Sequence, residues 1–179
     1  MAKARPRELS YASTGAGSAS HLAGEMFNQR AGVEIVHVPY KGGSQAMVDL
    51  LSGRVSAYYS TPSTAASHVQ AGKLVALATT GIERPSLQAD IPTIAESGFA
   101  DFNATNWYAF VAPARTPEPI LKRWNEELVK ALQAPDVREQ LLNIGLIPEP
   151  GTREALRDFI AKESRTWAQV IKDRRITAE

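Results

Sequence analysis

The chain has 179 residues, 44% of them apolar and 22% charged, with 20 Lys and Arg against 19 Asp and Glu, a net charge of +1. This is the composition of a globular chain long enough to bury a core, and its charge balance excludes nucleic acid, or any polyanion held by bulk charge, as partner while leaving room for one local anion site. With no cysteine there is no disulfide, thiol nucleophile, Cys-ligated zinc or iron–sulfur cluster, and no apolar run approaches the length of a membrane span.

Along the chain, apolar runs alternate with helical patterns. The opening Met1–Glu8 is basic, but no apolar stretch follows it. It does not read as a signal peptide, so the chain expressed as written is expected in the cytoplasm. Leu9–Ser13 reads as a strand, Thr14–Ser18 as a glycine-rich turn, and His21–Arg30 as a helix stopped by Gly32. Val33–Val38 is a β-branched strand, Pro39–Ser44 a second turn, and Gln45–Leu51 a second helix closed by Gly53. Val55–Tyr59 is a third strand. Thr61 and Pro62 open a third helix, with proline at the first helical position, where its missing N–H costs nothing. Leu74–Thr79 reads as a fourth strand. Strand–loop–helix repeated in this way predicts an α/β fold with a parallel or mixed sheet.

After Gly81 the character changes. Residues 81–106 are rich in Pro, Gly, Ser and acids, with one helical turn at Thr93–Ser97. Trp107–Ala112 reads as a strongly apolar strand. Thr116-Pro117-Glu118 starts a helix carrying Leu121, Trp124, Leu128 and Leu132 on one stripe, so Trp124 is expected in the core together with Trp167. A further helix starts at Pro135 and stops at Gly145, and Thr152 caps the last and longest one.

The strongest chemical signal is Ser13-Thr14-Gly15-Ala16-Gly17-Ser18 between a strand and a helix. A helix start carries unpaired N–H groups and about half a positive charge, and glycines admit a ligand close to the backbone. Such a loop holds a carboxylate or phosphate without Lys or Arg. Tyr40–Ser44 and Ser60–Ser63 repeat the design at the next two strand ends, on the edge where α/β sheets place ligands. Taken singly, each loop also reads as a tight turn with a Ser/Thr cap. Nucleotide motifs fail: Ser20 stands where a dinucleotide fingerprint needs its third glycine, and there is neither a Walker loop nor a G-x-S-x-G elbow. The three histidines lack zinc-protease spacing, and the carboxylates form no acid–base pair. Ser18 and His21 are spaced for a Ser–His pair, although a first-turn histidine that holds the loop or faces solvent fits as well. No metal site, cofactor or catalytic residue is expected.

Six stretches taken in order resemble one family: LSYASTGAGSASHLAGEMF, VHVPYKGGSQAMVDLLSGRV, AGKLVALATTG, ERPSLQADIPTIAESG, NWYAFVAPARTPEPI and WAQVIK. From about Leu9 to the C-terminus the chain is similar to the solute-binding proteins of tripartite tricarboxylate transporters, the Bug/TctC-like family. The resemblance implies a two-lobed, flytrap-like periplasmic binding protein of type II. Such a protein captures a small carboxylate for membrane permease subunits and performs no catalysis. It makes Ser13, Thr14, Gly15, Gly17 and Ser18 the carboxylate loop of the second lobe, with His21 and Tyr40 as supports or rim residues. Ser56 and Ser60 stand where the family usually has acids, and Ser60 at the cleft would change which ligand is accepted.

Family members are longer, so the resemblance implies an N-terminally truncated chain. Residues 9–106 would form the second lobe, and residues 107–179 a segment returning to an incomplete first lobe. Weak ligand binding and a homodimer through the exposed first-lobe remnant are expected from that. The alternatives are an α/β enzyme acting on a small carboxylate or phosphate ester, and a protein-interaction remnant.

Overall fold

Short strands joined to helices by tight loops build a parallel sheet here because each helix carries the chain back to the starting edge before the next strand. The computed structural model describes residues 1–177, Leu87 by its backbone alone. β1 (Ser10–Ser13) leads to α1 (Ala19–Ala31), β2 (Val36–Pro39) to α2 (Gly43–Leu51), and β3 (Ala57–Tyr58) to α3 (Pro62–Gln70). The strands form a parallel sheet in the order β2-β1-β3, with Tyr11 of the central strand beside His37 on one side and Ala57 on the other. The chain leaves β1 first to one side and then crosses to the other. β1 is therefore the switch point of the sheet, and all three following loops sit at its C-terminal edge.

Local chemistry sets the helix ends. Ser18 caps α1 by accepting the His21 amide at 3.3 Å, and Gly32, at φ 60°, closes it in the left-handed conformation that suits glycine. Thr152 caps α6 (Arg153–Arg174), its hydroxyl accepting the Ala155 amide at 3.1 Å.

The structure divides into two compact units. The first holds residues 1–106 together with the chain from Trp167 on. It has two apolar clusters. Ala12, Ala46 and Val55 join the sheet to α2, while Ala23, Met26, Ile94, Phe102, Ala104 and Val170 join α1 to the 94–104 segment and the end of α6. The second unit, residues 107–166, contains α4 (Glu118–Gln133), α5 (Pro135–Asn143) and the first part of α6. An Arg153–Glu118 ion pair at 2.8 Å, a hydrogen bond from Asn125 Nδ2 to the Gly151 carbonyl at 3.0 Å and an edge contact of Trp107 on Phe159 hold it together.

Three expectations are corrected. Leu74–Thr79 forms no strand: it makes one bridge, Thr79 to Thr93, and Val75 and Leu77 are 80% and 75% exposed. Trp107–Ala112 likewise joins no ladder, and Val111 is 86% exposed. The reason is shared, since β-propensity describes how a side chain fits a pleated neighbour, and no neighbouring strand is present among the described residues. Trp124 is 61% exposed rather than core, its stripe lacking an opposing apolar surface in its own unit.

The Tyr11 ring fills the space over Gly24 so tightly that a Cβ there would overlap it, and the ring is itself fully buried. Gly24→Ala is expected to destabilise the fold by about 1–3 kcal/mol, the usual cost of overpacking a closed core. A lowered urea midpoint with an unchanged slope checks this.

Candidate carboxylate site

β1 ends at Ser13, and the chain must turn back into α1 within five residues. Gly15 at φ 126° and Gly17 at φ 73° make that possible, both in conformations that L side chains rarely adopt. The turn is held from behind. Ser13 is fully buried, with its Oγ 2.6 Å from His37 Nε2 and 3.1 Å from the Gly15 carbonyl, and it accepts the Gly15 amide at 3.1 Å. His37 stacks face to face on His21, ring centres 3.7 Å apart and planes 7° from parallel. His21 Nδ1 in turn accepts the Gly17 amide at 3.0 Å. Ser18 Oγ donates to the Gly15 carbonyl at 2.7 Å while capping α1, and the Thr14 amide donates to Ser20 Oγ at 3.0 Å.

These bonds sort the loop into two sets. The amides of Thr14, Gly15 and Gly17 are engaged within the protein. The amides of Ala16, Ala19 and Ser20 have no partner among the described residues, and they lie in the same turn as the exposed Thr14 and the half-buried Ser20. Ser13 and His21, expected in the site, are thus placed behind the loop. Tyr40 also serves as support: its amide donates to the Ser13 carbonyl at 3.1 Å and its hydroxyl to Asp49 Oδ2 at 2.8 Å. Ser60 is half-buried at the end of β3, two residues before α3. Thr61, the cap residue of α3, gives its side chain to Thr64 Oγ1 at 2.8 Å, and Gly42 at the start of α2 has no side chain to give. Three helix N-termini therefore follow three parallel strands on one edge, each with a partial positive charge, although α3 opens on Pro62 and leaves only the Ser63 amide unserved among the described residues.

Sequence reasoning missed His37 and Ser20. Strand alternation was the available signal for His37, since it stands opposite Tyr11 across the β1–β2 ladder. The Ser–His contact the spacing suggested at Ser18 and His21 occurs instead between Ser13 and His37. It has the reach of a nucleophile–base pair, but Ser13 is 0% exposed, which keeps a substrate carbonyl from its hydroxyl.

Burial sets the charge state behind the loop. It lowers the His37 pKa to about 4, with the stacked His21 adding to the effect and Glu25 opposing it. Burial also holds His21 below the ordinary histidine range, again against the pull of Glu25. The Tyr11 hydroxyl is pushed well up, first by burial and then by its bond to Glu25. Both imidazoles are neutral at neutral pH, as the acceptor role of His21 Nδ1 requires.

The family profile described as "Tripartite tricarboxylate transporter family receptor" matches residues 1–176. Protein BugT of Bordetella pertussis is 37% identical over 171 residues, covering 96% of this chain and 52% of BugT. Among solved structures, the R. palustris protein Rpa4515 with adipate superposes with a TM-score of 0.84 at 31% identity, over 98% of this chain and 59% of that one. MatC from Rhodopseudomonas palustris with bound malate gives a TM-score of 0.70 at 28% identity, over 92% and 57%. The chain spans about half the length of BugT and less than two thirds of either solved chain. Its fold is that of the periplasmic solute-binding proteins of this group.

The depressed histidine pKa carries a stability consequence. Between about pH 6.5 and 4 the unfolded chain binds a proton at His37 that the folded chain does not, so stability present above pH 6.5 is lost as pH falls through that window. Urea unfolding at pH 7.5 and pH 4.5 is expected to show a loss on the order of 1–2 kcal/mol, discounted for the ring's partial exposure. His37→Gln should lose less.

Proposed function

The chain belongs to the tripartite tricarboxylate transporter receptor family, and from that premise we propose that it binds a small dicarboxylate at the loop after β1 and presents it to the membrane permease subunits of such a transporter. Family members are periplasmic binding proteins, and the periplasm is where this receptor would work. The observation that carries the proposal is the set of unpartnered amides at Ala16, Ala19 and Ser20, beside the Thr14 and Ser20 hydroxyls, at a strand edge where three helices begin. Amides aligned by a helix start bind a carboxylate through charge-assisted hydrogen bonds and bring no countercharge of their own. Ser13, Gly15, Gly17 and His21 shape the loop; Thr14 and Ser18 line it, and Tyr40 and Ser60 flank it.

Adipate and malate, the ligands of the two solved relatives, are both dicarboxylates. One loop holds one carboxylate. The other end of a dicarboxylate needs donors beyond this loop. The exposed Phe110 and Val111 offer an apolar surface through which two copies would associate. Sedimentation velocity across a hundredfold concentration range is expected to show a monomer–dimer equilibrium, and a single monomer species throughout would remove that part of the proposal.

Calorimetric or NMR titration with malate and adipate is expected to give saturable binding with a Kd on the order of 1 mM. Ala19→Pro removes one donor at the first helical position, where proline is favoured. A hydrogen bond to a charged group contributes about 1.5–3 kcal/mol, so that variant should bind at least about tenfold more weakly with its melting temperature kept. Unchanged affinity in the variant, or no response of the wild type to either diacid, would refute the assignment.

A further inference from the structure

Gly17 sits at φ 73°, and a side chain there would meet nothing within 4 Å. Packing therefore does not hold it. Its one tether among the described residues is the hydrogen bond from its amide to His21 Nδ1 at 3.0 Å. That bond needs a lone pair on Nδ1, so the ring of His21 carries its single proton on Nε2. A second proton turns Nδ1 into a donor facing another donor, and the bond is lost. His37, stacked at 3.7 Å, limits the pair further, because two imidazolium rings at that distance repel strongly. His37 also reaches the loop through Ser13, whose hydroxyl receives the Gly15 amide.

We infer that His21 and His37 are positioning residues of the carboxylate loop, two stacked uncharged rings that hold Gly17 and Ser13 in the binding conformation and release the loop when His21 takes up a proton. The inference rests on the carboxylate reading only for what the loop binds; the latch itself follows from the hydrogen bonds.

The groups around the pair explain why it stays neutral. Tyr11 of β1 lies 5.2 Å from His37 ring to ring, and Tyr59 packs edge-on against Tyr11. Glu25 of α1 is the nearest source of negative charge, but its carboxylate is bound to Arg174 at 2.7 Å, which counters its pull on the rings. Arg7 and Glu34 line a cleft together with His37, Glu25 and Arg174, and Arg174 also bonds Glu34 at 3.2 Å. The nearby charges are thus two arginines against two glutamates, with no net negative charge to draw a proton onto the pair. Burial then decides, and it disfavours the charged rings.

The test needs no ligand at its first step. NMR of the full chain from pH 7.5 down to pH 4.5 follows the His21 ring and the Gly17 amide together. Protection of the Gly17 amide from exchange, corrected for the intrinsic rate, is expected to fall at least tenfold as His21 titrates, while Tyr11 and Ala12 in β1 keep theirs. His21→Phe keeps a flat ring but offers no acceptor, and should leave Gly17 unprotected at every pH. His37→Gln removes the stacked partner but keeps the Nδ1 acceptor of His21, so Gly17 release should still follow the His21 titration in that variant. A purely structural role would lower stability in these variants without tying Gly17 to the His21 titration. Malate affinity should fall about tenfold over the same range in the wild type relative to His21→Phe, which supplies the baseline for protonation of malate itself. Gly17 protection that ignores the His21 titration, or that survives in His21→Phe, overturns the latch. Linked opening of Gly17 in a wild type that ignores malate at every pH would keep the latch and sink the carboxylate assignment instead.

Discussion

A single buried carboxylate ties the first unit together. Glu25 Oε1 accepts the Tyr11 hydroxyl at 2.8 Å and the Asn28 amide nitrogen at 3.3 Å, and Oε2 accepts Arg174 Nε at 2.7 Å. The central strand, the first helix and the end of the last helix thus meet at one charge. Asn28 extends the set to the start of β2, its side chain exchanging two hydrogen bonds with Ile35. A buried charge is tolerable only when paired and hydrogen-bonded, and breaking such a pair by removing one partner typically costs about 3–5 kcal/mol. This is why the chain from Trp167 on groups with residues 1–106: Arg174 is required there, and Val170 and Trp167 pack beside it in the α1 cluster.

That arrangement places rigid groups behind the loop and open ones in front. The Tyr11 ring, wedged over Gly24, is the floor on which His37 sits, and His37 supports His21. Side chains from β1 and α1 satisfy the inner amides of the turn, with His37 of β2 bonded behind them to Ser13, while the outer amides are unserved. A binding protein gains from this division, because an anion meeting preorganised donors does not have to order the loop as it binds. The same division explains why a Ser–His contact of catalytic reach exists without an accessible nucleophile: Ser13 is spent on the loop.

The apolar residues left outside the cores have a physical explanation too. Val75, Leu77, Phe110 and Val111 are exposed in segments with strand composition but no ladder. BugT is about twice the length of this chain, and apolar segments of this kind take their meaning from whatever pairs with them.

Much of the architecture was legible residue by residue, because it follows from contacts within a few positions. Ser18 and Thr152 as caps, Gly32 as a stop, Pro62 at a first helical position, and three strand–loop–helix units making an α/β sheet are all decided by local backbone chemistry. The ordered run of motifs was enough to identify the family. Pairing decided the rest. Leu74–Thr79 and Trp107–Ala112 have the composition of strands, but a strand exists only through its neighbour, and composition does not supply one. Ser13, His21 and His37 meet because the β1–β2 register sets His37 opposite Tyr11 and α1 folds His21 back over it, a juxtaposition of residues 8 to 24 positions apart that spacing along the chain does not encode.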